Sequence, residues 1–340
     1  MPNGRSRFNR TRINRSQRSN QFLPMFKLAH LSDVHLPPLP RPRFSELLGK
    51  RLIGLASWQF RRRAIHCASV LQAVRNDIIS HNPDHVAFTG DLINIALPGE
   101  FKNGARWLSG LGAGGRITFV PGNHDAYVKF PWQNGMGLWA HYMTGDLQMA
   151  GPRGAGGLAS PFPFVRQRRN FALIGVSSGV PAPWNKATGE LGNRQLQALK
   201  IILADLRQRG FCRIVLIHHP PLPGQAIARK ALLDAPQLGD ILAAEGAEFV
   251  LHGHNHEHMH KQLTCTTGIA HVLGVPSASA RQTRKKPAAA WYLHHLTRRD
   301  GRWLSDVTVR AFDPASKTMV TRTQFSLDTR LQPPQSQNLP

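Results

Sequence analysis

Acidic residues are scarce in this chain: 19 Asp and Glu face 43 Lys and Arg across 340 residues, a formal charge of +24. A surface so short of carboxylates attracts phosphate, whether carried by nucleic acid, by anionic lipid or by a small substrate. Cysteine is equally sparse. Cys67, Cys212 and Cys265 are an odd, widely spaced set, which excludes a disulfide framework and a cysteine zinc site, so they are expected to be reduced and structural. Long apolar runs are missing too. No stretch approaches the roughly 18 apolar residues of a membrane span, and the N-terminus lacks the apolar core of a secretory signal. The expectation is a cytoplasmic protein, with a peripheral position on the inner face of the membrane left open by its charge.

Hydrophobic residues make up 41% of the chain, enough for a substantial core. Residues 1–24 carry six arginines and no acid, have no apolar periodicity, and are expected to be a disordered basic extension. This segment reads as a nucleic-acid arm, a targeting extension, or sequence upstream of a start at Met25, which opens directly on an apolar run.

Short apolar runs recur at Phe26 to Leu31, His85 to Thr89, Ile117 to Val120, Phe171 to Val176, Arg213 to Ile217, Glu248 to Leu251 and His271 to Val275. Runs this short and this apolar predict strands buried on both faces. Helical spacing appears between them, in Cys67, Leu71, Val74 and Ile78 and again in Leu196, Leu199, Leu203 and Leu206. The alternation predicts an α/β fold with much parallel pairing. Beyond Pro287, stretches around Trp291 to Leu296, Leu304 to Phe312 and Val320 to Leu327 read as antiparallel strands that complete a second sheet. The Pro- and Gly-bearing stretches at Leu36 to Arg43, Gly151 to Pro163 and Gly179 to Pro183 read as loops rather than linkers. A single domain over residues 25–328 and a frayed tail at 329–340 are therefore expected, with no internal repeat.

Five motifs end apolar runs in a fixed order: "SDVH" at Asp33 and His35, "TGD" at Asp91, "PGNHD" at Asn123 and His124, "HHPP" at His218, and "GHNH" at His254 and His256. In open α/β sheets, ligands bind beyond the carboxyl ends of strands, and all five motifs stand at such ends. Gly90, Gly122 and Gly253 let the backbone turn sharply beside them. Alone, each motif reads equally as a turn or loop. Jointly they supply a ligand set for two metal ions in one pocket.

These residues resemble the calcineurin-like metallophosphoesterases over Leu28 to Ser279, with wording closest to the bacterial cyclic-nucleotide phosphodiesterases of that family. The resemblance implies two packed mixed β-sheets flanked by helices, a four-layer α/β/β/α sandwich. It also implies a first metal held by Asp33, His35, Asp91 and His256, and a second held by Asp91, Asn123, His218 and His254, with Asp91 bridging. His124 would stand beside the substrate as the acid or phosphate-stabilising group. In "HHPP" either imidazole is able to face a metal, and the family pattern selects His218, leaving His219 to line the pocket.

The chemistry explains the residue types. A phosphate ester repels an anionic nucleophile and has a poor alkoxide leaving group. Two metals about 3.5–4 Å apart hold a bridging hydroxide, neutralise the phosphoryl oxygens and align the ester. Carboxylate, amide and imidazole ligands together suit Mn, Fe or Zn better than Mg or Ca.

Most of the 17 histidines are expected to be ordinary. His66, His81, His141, His271, His294 and His295 have no ligand-like partner, and His258 and His260 are expected at the surface. Arg41 to Arg63 mixes Phe44, Leu47, Leu48, Leu52, Leu55, Trp58 and Phe60 with basic residues just after the first ligand pair. It reads as a basic amphipathic lip for an anionic membrane or lipid substrate, or as a helix packed on the core with a solvated basic face; Gly49 and Gly54 weaken a continuous helix. Three substrate classes follow: a cyclic nucleotide or similar phosphodiester, a lipid-linked pyrophosphate of the kind cleaved by UDP-2,3-diacylglucosamine hydrolases, and nucleic acid. The last ranks below the others because no aromatic-basic stacking signature is present.

Overall fold

The computed structural model describes residues 25–146 and 161–330. The basic extension at 1–24, most of the loop from Gly151 and the end of the tail lie outside the described residues.

Strands β1 (Phe26–Leu31), β2 (His85–Phe88) and β3 (Ile117–Phe119) are short, buried and parallel, as their unbroken apolar character dictates. The helical segment α1 (Lys50–Ser57) continues as a π-helical turn at Trp58–Arg62 and ends in α2 (Arg63–Ile65). Helix α3 (Ala68–Ser80) then buries Val70, Leu71, Val74 and Ile78, with Cys67 just before its first turn. Helix α4 (Pro98–Leu111) follows β2.

A second sheet holds β4 (Phe164–Arg168), β5 (Phe171–Gly175), β6 (Cys212–Leu216), β7 (Phe249–His252), β8 (Met259–Cys265) and β9 (Gly268–Gly274), in the order β4-β5-β6-β7-β9-β8. Helices α5 (Gly192–Gln208) and α6 (Ala235–Glu245) cover its outer face. Alternation along the strands assigns the layers. Ile214 and Leu216 of β6, with Phe249 and Leu251 of β7, join the core between the sheets. Val215 and Val250 pack instead with Leu199 and Leu203 of α5 and Leu238 of α6. Phe26 of one sheet stacks on Phe171 of the other at 4.6 Å between centroids. Each such fully buried side chain contributes about 1.5–3 kcal/mol.

The late strands β10 (Ala290–Arg299), β11 (Arg302–Asp313) and β12 (Thr318–Asp328) form the expected antiparallel meander, but they do not complete a second sheet. They extend the first, in the order β12-β11-β10-β1-β2-β3. Leu28 of β1 pairs antiparallel with His294 of β10, a contact no local pattern encodes. The result is two six-stranded mixed sheets, face to face, with helices outside.

Candidate metal centre

The loops leaving β1, β2, β3, β6 and β7 carry the five motifs, and backbone bonds tie them together. Asp33 N donates to Gly90 O (2.8 Å), His35 N to Asp91 O (2.9 Å) and Gly253 N to His218 O (3.0 Å). Asp33 Oδ2 accepts from His254 N at 2.9 Å, and Asp91 Oδ1 from His124 N at 2.8 Å. Gly90 has φ +96°, and a Cβ on Gly122 would collide with the Asp91 carboxylate, so the two glycines permit this approach.

Five candidate ligands are themselves in the left-handed region: Asp33 (φ 55°), His35 (43°), Asp91 (57°), His254 (71°) and His256 (54°). That conformation costs a residue with a Cβ roughly 1–2 kcal/mol. Strain of this kind collects where side chains must be aimed for function.

Two clusters result. In the first, Asp33 Oδ1 lies 3.1 Å from His256 Nε2 and 3.8 Å from His35 Nε2, and the two imidazole Nε2 atoms are 3.3 Å apart. In the second, His218 Nε2 lies 3.3 Å from Asp91 Oδ2 and 3.2 Å from His254 Nδ1. Asp91 Oδ2 is also 3.8 Å from His35 Nε2, so one carboxylate oxygen faces both clusters. His124 joins His35 and Asp91 in a third grouping.

The donor set fits metal ions. Asp33 Oδ1 and Asn123 Oδ1 are buried without a hydrogen-bond partner. His218 Nδ1 donates to Thr89 O (2.7 Å), leaving Nε2 directed at Asp91. His254 Nε2 donates to Lys230 O (3.0 Å), leaving Nδ1 inward. Such outer bonds fix the tautomer that a metal needs. Burial opposes charging His218, yet the Asp91 and Asp33 carboxylates raise its pKa to about 9. A proton there does the neutralising work that a cation would do.

His219, expected to line the pocket, packs its ring beside those of His218 and His254. Its Nδ1 meets Ser178 Oγ at 2.8 Å and its Nε2 donates to Ala187 O at 3.2 Å, so both ring atoms are engaged behind His254. His124 donates from Nδ1 to Asn94 O at 2.5 Å, and burial followed by the Arg62 charge lowers its pKa to about 4. His258 and His260 are exposed, as expected.

Four residues escaped the sequence reading. Asp125, inside "PGNHD", accepts backbone N–H groups from Asp91, Leu92, Ile93 and Gly122. Glu100, buried at the start of α4, accepts from Asn94, Ile95 and Leu97 and so holds the loop whose carbonyl orients His124. His66, expected to be ordinary, is buried with its ring 4.5 Å from that of His35, anchored through Nδ1 to Ser279 Oγ. Arg62 approaches the His124 ring at 3.1 Å. The acidic pair had a usable signal, since a carboxylate beside Gly or Pro turns often collects loop N–H groups; His66 and Arg62 had none.

The Arg41 to Arg63 segment also departs from a simple lip. Trp58 is inward and only 4% exposed, and Gly54 is buried where a Cβ would press on Ile95 and Tyr127. Lys50 donates to Tyr127 O and Ala182 O, and Arg51 to Ile95 O and Ala96 O, so these two cations are anchors rather than surface charge. Phe44, Leu48, Leu52 and Phe60 remain exposed.

Comparison with known proteins bears on the family and the fold. A probable cyclic nucleotide phosphodiesterase of Pseudoalteromonas sp. (strain SM9913) is 24% identical over 267 residues, covering 78% of this chain and 82% of the relative. A dimetal phosphatase from Danio rerio shares the fold at a TM-score of 0.58 and 12% identity, covering 90% of this chain and 99% of the other. Residues 26–258 match the calcineurin-like phosphoesterase family, more than half of the chain. The chain therefore belongs to the calcineurin-like phosphoesterases, dimetal-dependent enzymes that hydrolyse phosphoric esters.

Proposed function

We propose that the chain hydrolyses a phosphodiester at a dinuclear centre. Asp33, His35, Asp91 and His256 would hold one metal, and Asp91, Asn123, His218 and His254 the other. The observation that carries this reading is the position of Asp91 Oδ2, 3.8 Å from His35 Nε2 and 3.3 Å from His218 Nε2, as a bridging carboxylate requires. Two bound cations supply a water-derived nucleophile at neutral pH and neutralise phosphoryl charge. Mn, Fe or Zn suits the mixture of oxygen and nitrogen donors.

The chain's own residues do the rest. Asp125 and Glu100 hold the two loops that present Asp91 and His124. With its Nδ1 hydrogen committed to Asn94 O, His124 would act through Nε2, which Arg62 approaches at 3.4 Å: Nε2 would take a proton from solvent as the anionic substrate enters and pass it to the leaving-group oxygen. A cyclic nucleotide is the favoured substrate, supported by the name of the Pseudoalteromonas relative. A screen of the purified protein with Mn against cyclic AMP, a lipid-linked pyrophosphate and single-stranded DNA tests it. Turnover of cyclic AMP is expected, and a chain that cleaves none of the three would remove the reading.

A second reading, a lipid-linked pyrophosphate hydrolase working at an anionic membrane surface, rests on the segment before α3. Phe44 is 95% exposed, Leu48 79% and Phe60 84%, with Arg41, Arg43, Arg61 and Arg63 exposed among them. Apolar groups ringed by cations insert into anionic bilayers. A cleft of about 730 Å³, lined by Leu39, Leu55, Trp58, Arg63, His66 and Arg281, adjoins the site beside His66 and offers room for an acyl group. Buried Trp58 is no membrane anchor, so the test replaces Phe44, Leu48 and Phe60 by Ser. Loss of sedimentation with phosphatidylglycerol vesicles is expected; a wild-type chain that ignores such vesicles would exclude this reading. The nuclease reading draws only on net charge.

A further inference from the structure

Arg62 is the one arginine of the Arg61–Arg63 run that turns inward. At Trp58–Arg62 the chain takes a π-helical turn, in which Arg63 N donates to Trp58 O five residues back. The wider turn changes the phase of the helix, and such turns recur at functional sites. Here Trp58 is buried, Phe60, Arg61 and Arg63 are exposed, and Arg62 is directed at His124.

The Arg62 guanidinium lies 3.1 Å from His124 Nδ1 and 3.4 Å from Nε2. Since Nδ1 already gives its hydrogen to Asn94 O, the atom able to accept from Arg62 is Nε2. That is an unusual resting place for a guanidinium. Among the described residues it forms no ion pair with a carboxylate and no other hydrogen bond. The His124 ring it meets lies 4.8 Å from that of His35, so the guanidinium stands beside the proposed metal cluster. Asp91 and Glu100 act on it only from a distance; a largely desolvated cation with no carboxylate in contact is costly, and an anion entering the site would supply that contact. A planar guanidinium matches a phosphoryl group, able to bond two of its oxygens at once.

We propose that Arg62 is a phosphate-binding residue that moves from His124 Nε2 onto non-bridging phosphoryl oxygens of the substrate. The move does two things at once: it clamps the phosphate beside His124, and it frees His124 Nε2 for the leaving-group oxygen. The inference rests on the phosphoesterase reading of the site and deepens it.

The test uses the full chain with Mn bound and inorganic phosphate as probe, measured by calorimetry and by inhibition of bis(p-nitrophenyl) phosphate hydrolysis. In Arg62→Ala the dissociation constant for phosphate is expected to rise about 10- to 100-fold, the span of a charge-assisted hydrogen bond, with unchanged metal content. Added guanidinium should restore binding in Arg62→Ala and leave the wild type unaffected. Arg62→Lys and Arg62→Gln keep most of the stem, so the comparison holds if the alanine variant folds poorly; Lys should retain part of the affinity and Gln little. Wild-type phosphate affinity in the Ala and Gln variants would overturn the assignment. A wild-type chain that neither binds phosphate nor hydrolyses the diester would instead overturn the phosphoesterase reading beneath it.

Discussion

Replacing Asp125 by Asn should weaken both fold and metal binding, although the side chain keeps its shape and touches no candidate ligand side chain. Its two oxygens divide four backbone donors: Oδ2 takes Asp91 N and Gly122 N, both at 2.8 Å, while Oδ1 takes Leu92 N at 3.0 Å and Ile93 N at 3.1 Å. Asp125 is buried. Burial and the Asp91 charge push its pKa up, against the pull of those donors. An amide places an NH2 where one oxygen stood, so two of the four N–H groups face a donor. Each buried donor left unmade costs about 1–3 kcal/mol, which puts Asp125→Asn at about 2–6 kcal/mol. With an m-value of about 2–3 kcal/mol/M, the urea midpoint should fall by about 0.7–3 M. The freed groups belong to the "TGD" and "PGNHD" turns, so Asp91 should shift with them and metal content should drop in parallel. Urea unfolding of the metal-free chain, followed by metal analysis of the refolded variant, measures both. An Asn variant with the wild-type midpoint and wild-type metal content would refute the claim that this carboxylate braces the two loops.

Two other substitutions separate chemistry from scaffolding. His124→Ala should lower diesterase turnover about 10²- to 10⁴-fold, the range of a lost acid–base group, while metal analysis finds nearly the wild-type content; a matching loss of metal would make His124 a ligand. His218→Ala should remove metal from the second cluster, because its Nε2 faces Asp91 Oδ2. His219→Ala should retain metal and lower thermal stability, since both its ring nitrogens bond to Ser178 and Ala187; the opposite result for the pair would reverse the assignment within "HHPP".

The strands were legible where burial on both faces leaves an unbroken apolar run, as in β1, β2, β6 and β7. Two edge strands escaped. Strand β8 reads Met-His-Lys-Gln-Leu-Thr-Cys with most side chains exposed, and β4 ends in Arg-Gln-Arg, so neither carries a core signature. The late meander was legible as strands, whereas its attachment to β1 depends on pairing across more than 250 residues. The candidate ligands were legible because each stands at a strand end in a short motif. Their supports were not: His66 reaches the site through Ser279, 213 positions away, and Arg62 through a π-turn that also buries Trp58. Helical phase, not composition, decides which arginine of Arg61–Arg63 enters the pocket.

The central claim, a dinuclear centre bridged by Asp91, is tested most directly by titrating Mn into the metal-free wild type and into Asp91→Ala while following bis(p-nitrophenyl) phosphate hydrolysis. The account predicts that wild-type activity rises until two equivalents per chain are bound, and that the Ala variant stays inactive and binds fewer. Activity complete at one equivalent, or full activity in Asp91→Ala, would contradict it.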